Sequence, residues 1–174
     1  NSIIKISIYK HFCGGIKETE CYPIIKNMFK KNVYTVLDFS TEGYQKEKDF
    51  EICCEKKISI IEFIKDKNEI PFAVFKPSSV GKSPVFEKVS KGTILNTDEK
   101  EAWLKIKNRF HLICKKAKES DVKILIDAEE FLIQNAIDQL ALEMMIEYNK
   151  NEIFIYNTVQ MYRKDRLSYL KKIN

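Results

Sequence analysis

Four short apolar runs, each closed by a polar residue and separated by helical patterns, constrain this chain more than any other feature. They are 33–37 (VYTVL), 72–75 (FAVF), 123–126 (KILI) and 153–156 (IFIY). Each has the length of a buried strand. The stretches between them carry apolar residues at helical spacing. Residues 49–65 hold Phe50, Cys53, Ile61 and Ile64, and 130–148 hold Ile133, Ile137, Leu140 and Met144. Residues 98–118 are the clearest, with Trp103, Ile106, Phe110, Ile113 and Ala117 stepping by three and four. Asn96 or Thr97 would cap that helix, and Glu99 stands three beyond Asn96 as in a capping box. A last helix is expected from about Asp165. Strands alternating with helices predict α/β architecture, with a parallel sheet and right-handed crossovers. The strand starts are 39, 51 and 30 residues apart, which suits either a doubly wound sheet or a barrel of repeated βα units. No G-x-G-x-x-G follows the first run, so the dinucleotide-binding version has no support.

Composition narrows the class. At 174 residues and 44% apolar content, one domain with a real core is expected, spanning 1–174. No run approaches the ~18 uncharged apolar residues of a membrane span. Residues 1–10 lack a signal-peptide cleavage site, so export is not expected; the missing initiator Met predicts that the chain was cut from something longer. The net charge of +5 is spread as alternating Lys and Glu. That is the pattern of solvated helix faces, whereas a nucleic-acid groove wants a clustered basic stripe. Five cysteines without a C-x-x-C pair read as free thiols in a reducing cytosol. His11 and His111 have no nearby partner for a metal, so no metal site is expected. The segment 77–96 holds two of the four prolines and reads either as a long functional loop or as a loop with a short helix at 84–91.

The chemistry collects where the apolar runs end. The first ends in Asp38, with Glu42 four residues on; the second ends in Lys76. The third ends in Asp127, followed by Glu129 and Glu130, and the fourth leads into Asn157 and then Gln160. In parallel α/β folds, ligands bind at the carboxyl ends of strands. A strand-end polar residue is also often a helix cap, and Asp127 fits that role equally well. A lysine among carboxylates suits a small zwitterionic or acidic substrate, or the polar edge of a flavin. No Ser/His/Asp or Cys/His arrangement and no phosphate-cradling glycine loop is present.

At these residues the sequence resembles the proline dehydrogenase family. His11-Phe12-Cys13-Gly14-Gly15 is similar to its F-C-G-G stretch, and Leu37-Asp38-Phe39-Ser40-Thr41-Glu42-Gly43 to its first strand end. Phe72 to Ser78 (FAVFKPS) resembles the second strand end. Ile126-Asp127-Ala128-Glu129-Glu130, with the helix beginning Gln134-Asn135-Ala136, resembles the D-A-E-E segment. Tyr156 to Tyr162 (YNTVQMY) resembles the N-T-x-Q-x-Y segment, with Met161 where relatives often have Ala or Cys.

The resemblance implies a FAD-dependent (βα)8 barrel that oxidises L-proline to 1-pyrroline-5-carboxylate, the first step toward glutamate, with electrons passed to a quinone. It implies that Lys76 binds the substrate carboxylate, that Asp127 sits beside substrate and flavin, and that Ala128 contacts FAD through its backbone. Gln160 would hydrogen-bond the flavin ring, and Glu42 would be a pocket wall paired to an arginine that binds substrate. A (βα)8 barrel takes ~250 residues, and the family's later R-G-A-Y strand, H-N strand and paired arginines have no counterpart here. The expectation is therefore about half of a TIM-type barrel, the N-terminal half, preceded by a helical segment. It would be inactive alone, marginally stable through unpaired edges at its first and fourth strands, and completed by a C-terminal half. A cytoplasmic or peripheral membrane location follows, with no nucleic-acid partner. The alternatives are a degenerate, non-catalytic remnant and another βα-barrel enzyme with a strand-end site.

Overall fold

The computed structural model describes residues 13–39 and 46–173. Its elements run α1 (Glu18–Phe29), α2 (Glu47–Ile64), β1 (Phe72–Phe75), a 3₁₀ turn (Pro77–Val80), α3 (Ser83–Ser90), α4 (Thr97–Glu119), β2 (Lys123–Ile126), α5 (Phe131–Tyr148), β3 (Ile155–Asn157) and α6 (Arg166–Ile173). The three strands are parallel in the order β1-β2-β3. This is the expected chain of βα units.

Each crossover helix forms for legible reasons. The α4 helix begins with the full capping box: the Asn96 side chain accepts from Glu99 N–H at 2.9 Å, and Glu99 accepts from Asn96 N–H at 3.0 Å. Ile106, Phe110, Ile113 and Ala117 are its buried stripe. Phe110 meets Phe75 of β1 edge-on at 5.1 Å between ring centres. Segment 77–96 resolves into the 3₁₀ turn and α3, which opens on Pro84 and buries Val85 and Phe86. Gly81 links the two. A Cβ there would come within 2.2 Å of Ile106, so the backbone can pass α4 this closely only without a side chain. Arg109 of α4 reaches the same link. It donates to Val80 C=O at 3.1 Å and pairs with Glu47 at the start of α2.

The pleat divides the sheet into two faces. Ala73, Phe75, Ile124, Ile126 and Ile155 point to the helices and are no more than 2% exposed. Phe72, Val74, Leu125 and Tyr156 line the other face and are half-buried. Phe72 and Tyr156 touch edge-on across it at 5.5 Å.

Two expectations need correction. The run 33–37 is not a strand; it makes a single parallel bridge, Leu37 to Ala73. Val33, Tyr34 and Val36 are exposed. Thr35 N–H donates to Glu69 C=O at 3.2 Å and Tyr34 meets Phe29 of α1 edge-on at 5.2 Å, so alternation alone did not pull the run into the ladder. The last strand starts at Ile155, not at 153. The side-chain oxygen of Asn149 accepts the N–H groups of both Phe154 and Ile155, at 3.0 and 2.9 Å, and leaves Ile153 outside. Among the described residues, no helix is long and apolar enough to cross a membrane.

Candidate functional site

The register brings the strand ends to one level. Phe75 pairs with Ile126, and Ile126 with Asn157. The ladder continues one step beyond: Asp127 N–H donates to Phe75 C=O at 3.0 Å, and Thr158 N–H to Ile126 C=O at 3.1 Å. Lys76, Asp127 and Thr158 therefore stand side by side, spaced by the ~4.8 Å between strands. Lys76 has extended backbone angles, so the pleat carries it to the open face that holds Val74 and Leu125. All of these rim residues are half-buried.

Among the described residues, the Lys76 ammonium makes no hydrogen bond or ion pair, while its backbone carbonyl accepts Ser79 N–H at 3.0 Å and Ser79 Oγ at 2.6 Å. Asp127 is not the cap of α5; that position belongs to Glu130, which makes no side-chain cap bond. Of the two roles open to Asp127, the structure leaves the rim. The N–H of Ala128 is spent on Thr158 Oγ1 at 2.6 Å. Gln160 donates its amide to Glu129 C=O at 2.6 Å, and its Oε1 is buried without a partner among the described residues. Glu42 lies outside the described residues, as do His11 and Phe12. Asp38 is placed differently from Lys76 and Asp127. The bridge of Leu37 to Ala73 sets it below the rim, where it pairs at 2.6 Å with Lys57, a buried lysine that also donates to Phe39 C=O. A buried ammonium needs such partners, so Asp38 anchors α2.

Two features of the rim go beyond what the sequence assigned. One is the partner of Glu129, a residue the sequence placed only as following Asp127: its carboxylate accepts from Ser78 N–H at 2.7 Å and from Ser78 Oγ at 2.5 Å. Burial pushes this carboxyl above the usual range and Asp127 adds to the effect, while the Ser78 bonds and Lys76 pull it back. The other is a polar network behind β3. Gln134 takes the N–H of Glu129 at 2.7 Å and donates to Asp138 at 2.8 Å. Asp138 also accepts from Asn157 and pairs with buried Arg166 of α6. Gln134 and Asp138 stand four apart in an apolar helix, next to Ile133 and Ile137. Two polar groups on a buried stripe were the available signal. No group of three or more His, Cys, Asp or Glu able to hold a metal occurs among the described residues.

Parallel βα units with a half-open sheet face leading up to a cation, a carboxylate and an amide at the strand ends make a βα fold of barrel type. The proline dehydrogenase family model matches residues 22–174, and the chain belongs to that family, whose members are flavin oxidoreductases. It is 33% identical over 159 residues to the carbapenem antibiotics biosynthesis protein CarD of Pectobacterium carotovorum subsp. carotovorum, covering 91% of this chain and 42% of CarD. It is 36% identical over 91 residues to mitochondrial proline dehydrogenase 2 of Arabidopsis thaliana, covering 51% of this chain and 19% of that protein. The crystal structure of proline utilization A from Bdellovibrio bacteriovorus superposes with a TM-score of 0.74 at 18% identity, covering 99% of this chain and 19% of that one. The chain thus spans less than half the length of these relatives.

Proposed function

We propose that the protein carrying this chain oxidises L-proline to 1-pyrroline-5-carboxylate with FAD bound at the strand ends and a quinone as electron acceptor. The observation that carries this reading is the side-by-side placement of Lys76 and Asp127 on the open rim, with the unpaired Gln160 acceptor on the next strand end. A buried acceptor without a partner costs about 1–3 kcal/mol. The imide N–H of an isoalloxazine ring is a donor that would satisfy it, so the residues present fit a flavin. Flavin supplies the two-electron acceptor for a hydride from the carbon next to the proline nitrogen.

The chain's own residues supply position and charge. Lys76, an unpaired cation at a half-buried mouth, takes the substrate carboxylate. Asp127 faces the same mouth beside substrate and flavin. With its N–H committed to Thr158, Ala128 has its carbonyl left to offer a cofactor. Gln160 meets the ring. Electron delivery to a quinone goes with a peripheral position at the membrane.

The match to CarD across 91% of this chain favours a second reading, in which a proline-like cyclic imino acid replaces proline. Anaerobic titration of the flavin-loaded protein with L-proline separates the two. Bleaching of the flavin bands supports the first, and a loaded protein that L-proline fails to bleach refutes it. Under the first reading, Lys76→Ala raises KM for proline far more than it lowers flavin content, and Asp127→Ala cuts turnover. Unchanged proline kinetics in both variants would overturn these roles.

A further inference from the structure

We infer that Glu129 is a positioning residue: it clamps the strand ends of β1 and β3 onto that of β2, and so sets where Lys76 and Asp127 stand. Its part in substrate handling rests on the function proposed above; the clamp itself does not. The register explains why a clamp is needed. Continuing the β1–β2 pairing one step past Phe75 and Ile126 sets Lys76 beside Asp127. Two steps later comes Ser78 beside Glu129. There β1 has already turned into the 3₁₀ turn at Pro77, which has no N–H to give, and the backbone ladder stops.

The side chain of Glu129 takes over at that point. One carboxylate oxygen accepts Ser78 N–H at 2.7 Å and the other accepts Ser78 Oγ at 2.5 Å. Its backbone does the same for the other neighbours. The N–H donates to Gln134 Oε1 of α5 at 2.7 Å, and the C=O accepts from Gln160 after β3 at 2.6 Å. Every polar atom of the residue therefore serves a different element from its own strand. Glu130, the next residue, is exposed and makes no cap bond, as an ordinary solvated carboxylate at a helix start would. The charged groups acting on Glu129 are Asp127 and Lys76, the two groups whose strand ends it ties together.

Carbon and nitrogen NMR on the full chain tests this without any cofactor. The Glu129 carboxyl is expected to titrate above the ordinary carboxylate range. Its midpoint should move further up in Ser78→Ala, which removes a bond to the charged form, and down in Asp127→Asn, which removes a like charge. Glu129→Ala should strip the Ser78 amide of exchange protection and shift the Lys76 and Asp127 resonances. Glu129→Gln, which can still accept Ser78 N–H, should largely restore them. Should Glu129→Ala fail to fold, the Ser78→Ala and Asp127→Asn titrations still decide. A Glu129 that titrates like an exposed carboxylate and ignores both substitutions overturns the clamp. Lys76 and Asp127 signals unmoved in a folded Glu129→Ala overturn the positioning role. In flavin-loaded protein, Glu129→Ala should lower kcat/KM for L-proline about 10- to 100-fold, with recovery in Glu129→Gln. If wild type does not oxidise L-proline at all, the proposed function falls, and the NMR arm still judges the clamp.

Discussion

The two faces of the same three strands do different work. On the helix side, Ala73, Phe75, Ile124, Ile126 and Ile155 are sealed by α2, α4 and α5. On the other, Phe72, Val74, Leu125 and Tyr156 stay half-open and run up into Lys76 and Asp127. A residue of β1 thus belongs to the core or to the site according to its parity. The fold can therefore spend apolar burial on one face while it keeps charge on the other. This separation matters because a charge set among the sealed residues would lose its hydration with nothing to replace it.

The largest test of this division is a pair of alanine substitutions on neighbouring residues. Phe75→Ala should cost about 3–5 kcal/mol of unfolding free energy, through lost transfer and a cavity against Phe110. Val74→Ala, on the open face, should cost no more than about 1 kcal/mol. Equal losses in urea denaturation would break the comparison. Next is Gly81→Ala. The added methyl meets Ile106 on the sealed side and should cost about 1–3 kcal/mol by overpacking. An unchanged denaturation midpoint would mean that α4 yields there.

A smaller effect is expected at the cap of α4. Asn96→Ala should lose about 1 kcal/mol, read as a lower thermal midpoint with little change at the rim. The subtlest is a pH slope. Because Glu129 has a raised carboxyl pKa in the fold, the folded state holds its proton more tightly than the unfolded chain does. That contribution is present below the ordinary glutamate range and is lost as pH rises through the raised value. Over that window wild type should lose stability relative to Glu129→Gln, whose side chain does not titrate. A difference between the two that stays flat with pH would place Glu129 in water.

Much of this architecture is legible in the sequence. The capping box at Asn96 and Glu99 and the stripe from Ile106 to Ala117 set α4 in place, because both depend on neighbours three or four residues away. The polar ends at Lys76 and Asp127 are legible for the same reason: the apolar run stops, and the next residue falls at the rim. The run 33–37 misleads because its alternation describes a strand paired along its length, and among the described residues it makes one bridge, Leu37 to Ala73, and one further backbone bond, from Thr35 N–H to Glu69 C=O. Asp38 misleads similarly, since nothing local announces Lys57 nineteen residues later.

By itself, then, the order of residues determined the alternation of strands and helices from residue 72 onward, the buried stripes of the helices and the polar groups that close those strands, since all of these follow from short-range periodicity. Only the tertiary structure decided that Ser78 belongs to Glu129, that Asp138 belongs to Arg166, and that Asp38 anchors a helix below the rim. Those partners lie 19 to 51 residues apart, and no local pattern encodes a pairing that exists only once parallel strands have settled into register.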